Sequence, residues 1–262
     1  MDKLKKDEEI LKNISAISHE LQTPINLINA TAKLVSYKNK QNDEIRHYAR
    51  NIINNCNKLT MILSNILDTN MLTQHKYEYV KLRQFFETIY YNVRPYLRSL
   101  NVHIRLEFKT EREYAYFPPV TMERIILNLI TNAVKYNDKE KKTIRFRISD
   151  KDDNIVFSIK DNGIGIAPEN IEKLTEPFYR VDKSISTGVG LGLSLVKEYT
   201  EKMNGTLSIK SKLEKGTDVS VSIPCNTENQ NFKTSEVTFF YYPEKEFYDI
   251  EFSQFHNGDY LL

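Results

Sequence analysis

The stretch Ser18-His19-Glu20-Leu21-Gln22-Thr23-Pro24 puts an imidazole, a carboxylate and a hydroxyl within about one helical turn. A neutral imidazole is a competent nucleophile near pH 7 without a strong base beside it. A neighbouring carboxylate, here Glu20, can fix its tautomer and stabilise the cation that forms on attack. Thr23 stands four residues after His19 and so shares its helical face. Pro24 has no N–H for the helix ladder and costs roughly 3 kcal/mol in a helix interior. A solvated surface side chain is the ordinary explanation of any one exposed histidine. The coincidence of His19, Glu20 and an in-helix proline asks for more.

Glycine points to a second centre. Average usage would give about 18 in a chain of this length, yet there are 8, none before Gly163. Gly163, Gly165, Gly188, Gly190 and Gly192 concentrate permissive backbone in two short loops. Gly188-Val189-Gly190-Leu191-Gly192 opens a helix, and a helix N-terminus offers backbone N–H groups and a favourable dipole to phosphate oxygens. No Gly-Lys-Ser/Thr follows, so this is not a P-loop, and the dinucleotide fingerprint is absent. Asp161, just before Gly163 and Gly165, can accept from the exocyclic amine of a purine. Asn128, Asn132 and Lys135 project from one side of a helix whose other side is apolar. Asparagine is a mediocre helix former, so two of them one turn apart beside a lysine look placed. Mg²⁺ takes few protein ligands beside phosphates and water, and the amide oxygens of Asn128 and Asn132 suit it. Together these parts describe an ATP–Mg²⁺ site.

The elements that position these groups follow from periodicity. Ile10, Ile14, Ile17, Leu21 and Ile28 make a 4-3 seam with Pro24 at the missing step, predicting a helix to about Val35. Ser36–Asp43 turns the chain. Ile45, Ala49, Ile52, Cys56, Leu59, Leu63 and Ile66 form a second seam. Such narrow stripes are best buried by dimerising into a four-helix bundle. With Ile17 and Leu21 inside, His19 falls at the outermost heptad position. Cys56 reads as a core residue.

From about Tyr77 the pattern becomes mixed. Strands are predicted at Tyr79–Leu82, Val102–Phe108, Thr143–Ser149, Ile155–Lys160, Thr206–Ser211 and Asp218–Ile223. Helices are predicted at Gln84–Leu100, after Pro118-Pro119, and from the Gly192 loop to about Asn204, capped by Gly205. Asp150–Asn154 is read as a hairpin turn, and Asn170–Gly188 as a loop of about twenty residues. The fold class is a helical hairpin dimerising as a four-helix bundle, followed by an α/β sandwich with a mixed, largely antiparallel sheet covered by helices on one face. The domains expected are 1–76, 77–224 and an aromatic, acidic tail at 225–262, which either packs back on the preceding domain or docks a partner.

Composition narrows the classes. Near balance of 37 basic and 35 acidic residues argues against nucleic acid as a partner. Two cysteines, Cys56 and Cys225, make no disulfide framework. No apolar run approaches the ~18 residues of a membrane span. A cytoplasmic location is expected, with an upstream membrane sensor left open.

Together, these stretches resemble the sensor histidine kinases of two-component signalling. Ser18–Pro24 resembles that family's H box and Asn128–Tyr136 its N box. Asp161–Gly165 is similar to the first glycine box, Glu176–Arg180 to the F box and Gly188–Gly192 to the second glycine box, all in family order. The resemblance implies a protein-histidine kinase in which His19 attacks the γ-phosphorus of ATP, Glu20 is its acid/base partner, and Thr23 positions water for dephosphorylation of the partner. It implies that Asn128 and Asn132 hold Mg²⁺ and phosphates, Lys135 contacts phosphate, Tyr136 stacks on adenine and Asp161 binds its amine. Phe178 of the F box is placed at the nucleotide too. Arg180 and Lys183 reach phosphate from a lid, and Gly188, Gly190 and Gly192 line the site. The partners implied are a second copy of the chain and an aspartate on a separate response regulator. An ATPase of the same nucleotide-binding class, or a dimeric scaffold or phosphatase without net kinase activity, are the alternatives. The short lid and Gln22, where relatives carry a basic residue, remove no chemical group the reaction needs.

Overall fold

A computed structural model describes residues 21–70, 76–181 and 190–225, together with 237–238, 248–249, 251–252 and 255. His19, Glu20, Lys183, Gly188 and the seam residues Ile10, Ile14 and Ile17 lie outside them. The chain divides into two compact units, residues 1–74 with 246–262, and residues 75–245.

The first unit contains a helical hairpin. Helix α1 covers residues 21–38 and α2 covers Asp43–Asn70. Asn42 caps α2, its Oδ1 accepting the Ile45 N–H at 3.1 Å, and Asp43 and Glu44 complement the helix dipole in the first turn. Ile25, Ala32 and Ser36 of α1 are buried, as are Ala49, Ile53, Cys56, Asn57 and Leu63 of α2. The stripe expected to be buried is therefore split. Leu21 and Ile28 are 45 % and 51 % exposed, and Ile52 and Leu59 are 44 % and 48 % exposed, within one protomer. Each helix carries two apolar stripes rather than one, and the hairpin closes on only one of them. The heptad frame that turned His19 outward places Leu21 inside a dimeric bundle, and one protomer shows only that the hairpin by itself does not bury it. Cys56 is a core residue, 4 % exposed, and burial raises its thiol pKa. Inside the hairpin the Asn29 side-chain amide donates to Asn57 Oδ1 at 3.0 Å, a polar pair in an apolar seam.

The second unit is a two-layer α/β structure. Its elements are β1 (Glu78–Lys81), α3 (Leu82–Ser99), β2 (Val102–Lys109), β3 (Tyr114–Phe117), α4 (Pro119–Lys135), β4 (Lys142–Lys151), β5 (Asn154–Asp161), α5 (Pro168–Ile171), a 3-10 turn (Glu172–Thr175), α6 (Gly192–Lys202), β6 (Thr206–Lys212), β7 (Gly216–Pro224) and β8 (Val237–Thr238). The main sheet runs β2-β4-β5-β7-β6; β2 and β4 are parallel and the other pairs antiparallel. The parallel pair needs a long crossover, which α4 supplies. A small sheet, β3-β1-β8, stands beside it.

Alternation on the strands shows which face the helices cover. Ile144, Phe146 and Ile148 of β4, Ile155, Phe157 and Ile159 of β5, and Val221 and Ile223 of β7 are buried. Their sequence neighbours are Arg145, Arg147, Ser158, Lys160, Ser220 and Ser222. One face is thus apolar and the other polar, as an open sheet covered on one side requires. Phe86 of α3 packs against Phe146 and Phe157, with ring centroids 5.7 and 6.1 Å away. Met122, Ile125, Ile126, Leu129, Ile130, Ala133 and Val134 of α4 are all buried, as its spacing predicts.

Several boundaries differ from expectation for local reasons. The β4–β5 turn has two residues, not five: Asp152 and Asp153 both take positive φ, 49° and 58°, in the mirror-image turn that matches strand twist. Asp161 is consequently the last residue of β5 rather than part of a loop. The cap of α6 is shared: Asn204, at φ 55°, takes the left-handed position, and Gly205 donates back to the Thr200 carbonyl at 2.8 Å. The start of the supposed twenty-residue loop is helical, with Pro168 in the first turn of α5. Strands β3 and β8 are too short for alternation to reveal.

Candidate functional site

The chemistry-bearing residues of the second unit meet where the C-terminal half of α4, the end of β5 and the start of α6 come together. Asn128 and Asn132 lie one turn apart on α4. The Asn128 side-chain amide donates to the Arg124 carbonyl at 3.2 Å, which leaves its Oδ1 as a directed acceptor. That oxygen stands only 2.8 Å from where a Cβ on Gly192 would be, and Asn132 Nδ2 3.7 Å away. The second glycine loop therefore opens onto the two asparagines. Any side chain at position 192 would collide with them and fill the space.

Lys135 and Tyr136 end the helix, with the Lys135 ammonium 5.4 Å from the centre of the Tyr136 ring. Burial, and then the charge of Arg180, lower Lys135 from 10.5 to about 8. The charge of Arg180 therefore bears on Lys135 although 44 residues separate them in sequence.

Asp161 Oδ1 accepts the Gly163 N–H at 2.8 Å and the Thr217 N–H at 3.2 Å. Both bonds fall on one oxygen, so Oδ2 keeps its lone pairs for a donor such as a purine amine. Burial raises the Asp161 pKa, the two N–H donors oppose that shift, and Asp218 adds to it. Gly163 is backed directly onto the Tyr136 carbonyl, which also accepts the Ile164 N–H at 3.1 Å; a side chain there would strike backbone. Gly165 sits at φ 68° in the turn that follows.

The F box connects to the second loop through its backbone. The Phe178 N–H donates to the Gly190 carbonyl at 3.0 Å, and Gly190, at φ 83°, is pressed against the Phe178–Tyr179 peptide. No L side chain fits that backbone without strain. Phe178 itself has φ 65°, and its ring is 66 % exposed. A sparsely allowed backbone at a non-glycine residue is the kind of strain that functional loops keep. Tyr179 anchors this turn by donating to Asn170 Oδ1 at 2.9 Å. Thr23 is exposed on α1.

Some contributors escaped the sequence reading. Asn137, 5 % exposed, donates to Asn162 Oδ1 at 3.0 Å, and the same oxygen accepts the Thr143 N–H at 2.8 Å. This pair ties the end of α4 to the first glycine box. Thr217 braces Asp161, and Ser211 Oγ accepts the Ile166 N–H at 2.8 Å. An asparagine following directly on the N box, and another inside Asp161-Asn162-Gly163, were visible signals. Nothing local marks Thr217 or Ser211, which arrive from β6 and β7.

Two family models match. Residues 118–227 match the histidine kinase-, DNA gyrase B- and HSP90-like ATPase family, and residues 11–75 the His Kinase A phospho-acceptor domain. A phospho-acceptor domain joined to this ATPase domain is decisive. The chain belongs to the sensor histidine kinases. The autoinducer 2 sensor kinase/phosphatase LuxQ of Vibrio vulnificus is 32 % identical over 229 residues, 80 % of this chain and 26 % of that protein. The sensor protein SrrB of Staphylococcus aureus is 28 % identical over 233 residues, 86 % of this chain and 39 % of that protein. The chain therefore spans well under half the length of these relatives. Among solved structures, full-length ShkA superposes with a TM-score of 0.69 at 21 % identity, covering 81 % of this chain and 45 % of that one. The Acinetobacter baumannii histidine kinase AdeS gives 0.56 at 21 % identity, over 80 % and 98 %. These two likenesses show the fold of this histidine kinase. Among the described residues, no helix is long and apolar enough to cross a membrane.

Proposed function

We propose that this histidine kinase uses ATP to phosphorylate His19 and passes the phosphoryl group to an aspartate of a separate response regulator, as a homodimer joined through its hairpins. The observation that carries the reading is the approach of Gly192 to Asn128 and Asn132. It brings together, from distant stretches, the start of α6, the Asn128 amide oxygen and the Asn132 side-chain amide.

The residues divide the work. Asp161 Oδ2 accepts from the adenine amine, with Thr217 and Gly163 holding the carboxylate still. The Tyr136 ring offers a face to the base. Lys135 and Arg180 neutralise phosphate charge, and the N-terminus of α6 adds its backbone N–H groups. The amide oxygens of Asn128 and Asn132, with the phosphates, would hold Mg²⁺. When bound there, Mg²⁺ would neutralise phosphate charge.

Phosphoryl transfer is mainly positioning and charge stabilisation. The lone-pair nitrogen of His19 forms the new N–P bond as the bond from the bridging oxygen to the γ-phosphorus breaks, and ADP leaves with that electron pair. Glu20 accepts the hydrogen bond, and then the proton, of the other ring nitrogen. Thr23 serves the reverse task, orienting water toward the phosphorylated partner. Phe178 belongs to the F box, and Lys183, Gly188 and Gly190 to stretches that the family resemblance assigns to nucleotide binding. The exposed stripes of Leu21, Ile28, Ile52 and Leu59 suit a second hairpin, which completes a four-helix bundle.

Incubation with γ-labelled ATP tests this. Wild type is expected to retain acid-labile label, and His19→Ala to lose it by at least about 10³-fold while still binding nucleotide. Turnover of ATP without retained label would favour the plain ATPase, and binding with neither would favour a scaffold.

A further inference from the structure

The charge of this chain is close to balanced, with a net of only +2, yet the second unit concentrates cations on one surface. Helices cover one face of the main sheet, and alternation turns the polar strand residues to the other. The strand registers line these residues up across the whole 5-stranded sheet. Arg105 of β2 stands opposite Arg145 of β4, and Arg145 opposite Lys160 of β5. Lys160 stands opposite Asp218 of β7, and Asp218 opposite Lys210 of β6. With strands about 4.8 Å apart, this row is about 19 Å long. Lys109, Arg147 and Lys212 share the face, whose outward strand positions include only two carboxylates, Glu107 and Asp218.

Folding gives no reason for the row. Like charges directly opposite each other on antiparallel strands destabilise a sheet, and Arg145 faces Lys160 in that way. Glu107 offsets part of the repulsion, 3.6 Å from Arg105, 3.4 Å from Arg145 and 2.9 Å from Arg147. One carboxylate among three guanidinium groups leaves positive charge in excess. The cations also reach solvent: the Arg105 and Arg145 side chains are 80 % and 50 % exposed, and Lys160 and Lys210 are exposed as well.

Shape then selects the occupant. Ser158, Ser220 and Ser208 lie opposite one another in the neighbouring row. Their short hydroxyls keep the surface beside the cations low and can donate to phosphate oxygens. A row of about 19 Å is too broad for one small anion and matches an array of them. The outward strand positions hold no Phe, Tyr or Trp, the side chains that stack on single-stranded bases and that anchor protein hot spots. We propose that the bare face of this sheet docks the second unit on a bilayer surface rich in anionic phospholipid headgroups. Each Lys or Arg held near such a surface adds to the attraction. Asn128, Asn132 and Lys135 belong to α4, on the helix-covered side, so the two faces are engaged separately. The docking stands apart from the kinase reading.

Sedimentation of the full chain with vesicles tests this. Vesicles of phosphatidylcholine with about one third phosphatidylglycerol are expected to bind it, and pure phosphatidylcholine is not. Raising salt from about 0.1 M to about 0.5 M is expected to weaken binding at least about ten-fold. Arg145→Gln with Lys160→Gln removes two charges from the row and is expected to weaken binding about 30-fold. Lys210→Gln, exposed on the edge strand, is expected to weaken it about five-fold. Lys173→Gln with Lys197→Gln makes the same change of net charge at exposed positions off the sheet, and binding is expected to stay within about two-fold of wild type. ATP affinity and the melting transition of the second unit should hold in all three. If the Arg145 and Lys160 variant melts early, Lys210→Gln decides alone. Absent binding to the anionic vesicles, or equal losses from the two pairs, would overturn the proposal. So would tighter binding, at equal salt, to duplex DNA or to an acidic polypeptide, which would assign the face to that partner instead.

Discussion

The hairpin and the ATP-binding unit solve burial in different ways. The ATP-binding unit closes on itself: Phe85, Phe86, Phe146, Phe157, Met122 and Ile125 are among its largest fully buried side chains. The hairpin leaves a heptad-spaced stripe on each helix exposed while burying small or polar residues such as Ala32, Ser36, Ala49 and Asn57. A narrow stripe on each of two helices does not bury enough apolar area to stand alone. One unit closes within a single chain, and the other leaves apolar residues exposed, which suits the second copy proposed above.

The largest way to break the comparison is to charge the exposed stripe. Ile28→Glu with Leu59→Glu is expected to weaken dimerisation at least about 10³-fold by sedimentation, as charges placed in an interface core do. The melting transition of the ATP-binding unit should stay where it was. A shift in that transition would show that the two units are not independent.

The converse change acts on the other side. Asp161→Asn replaces one acceptor oxygen by a donor that opposes the adenine amine, and should weaken ATP binding about 100-fold by calorimetry. Dimerisation should be untouched.

The next effect is a pH dependence. Lys135 is lowered to about 8 in the folded chain from 10.5. Between those values the unfolded chain holds a proton that the folded chain has released, so the stability of the apo unit rises with pH through that window. A bound polyphosphate favours the ammonium and reverses the balance. Nucleotide affinity is therefore expected to fall several-fold as pH rises from about 7 to 9, with proton uptake on binding near pH 8. Lys135→Met should bind weakly at both pH values and lose most of the slope. A wild-type affinity flat across that range would mean that Lys135 does not face phosphate.

The smallest effect sharpens the reading of the hairpin core. Asn29→Leu leaves Asn57 buried without its partner and should cost about 1–3 kcal/mol in the hairpin melt. Asn29→Leu with Asn57→Leu should recover most of that loss while allowing the helices to slip in register, which disulfide trapping would detect. Equal losses in the single and double variants would show that the pair is not coupled.

Most of the fold was legible because the signals are local. The α4 stripe, the alternation of β4 to β7 and the glycine loop before α6 are read within windows of a few residues. What escaped depended on contacts between distant stretches. Strand β8 has two residues and no pattern of its own, and Asp152-Asp153 hides a tight turn inside a charged run. On α1 the hairpin closes on Ile25, Ala32 and Ser36 and leaves Leu21 and Ile28 exposed, and period alone cannot say which stripe faces the other helix of the hairpin.

For the site, residue identities by themselves determined the candidates: Asn128, Asn132, Lys135, Asp161 and the glycines stand at spacings whose chemistry is legible without coordinates. Tertiary structure decided the rest. It turned Asn128 Oδ1 toward Gly192, brought the charge of Arg180 to bear on Lys135, fixed the Asp161 carboxylate with an N–H from β7, and paired Val237–Thr238 of the tail with β1. A sequence states which groups are present at a given spacing along the chain. Which groups lose water together, and so shift each other's charge, depends on packing between segments far apart in that chain.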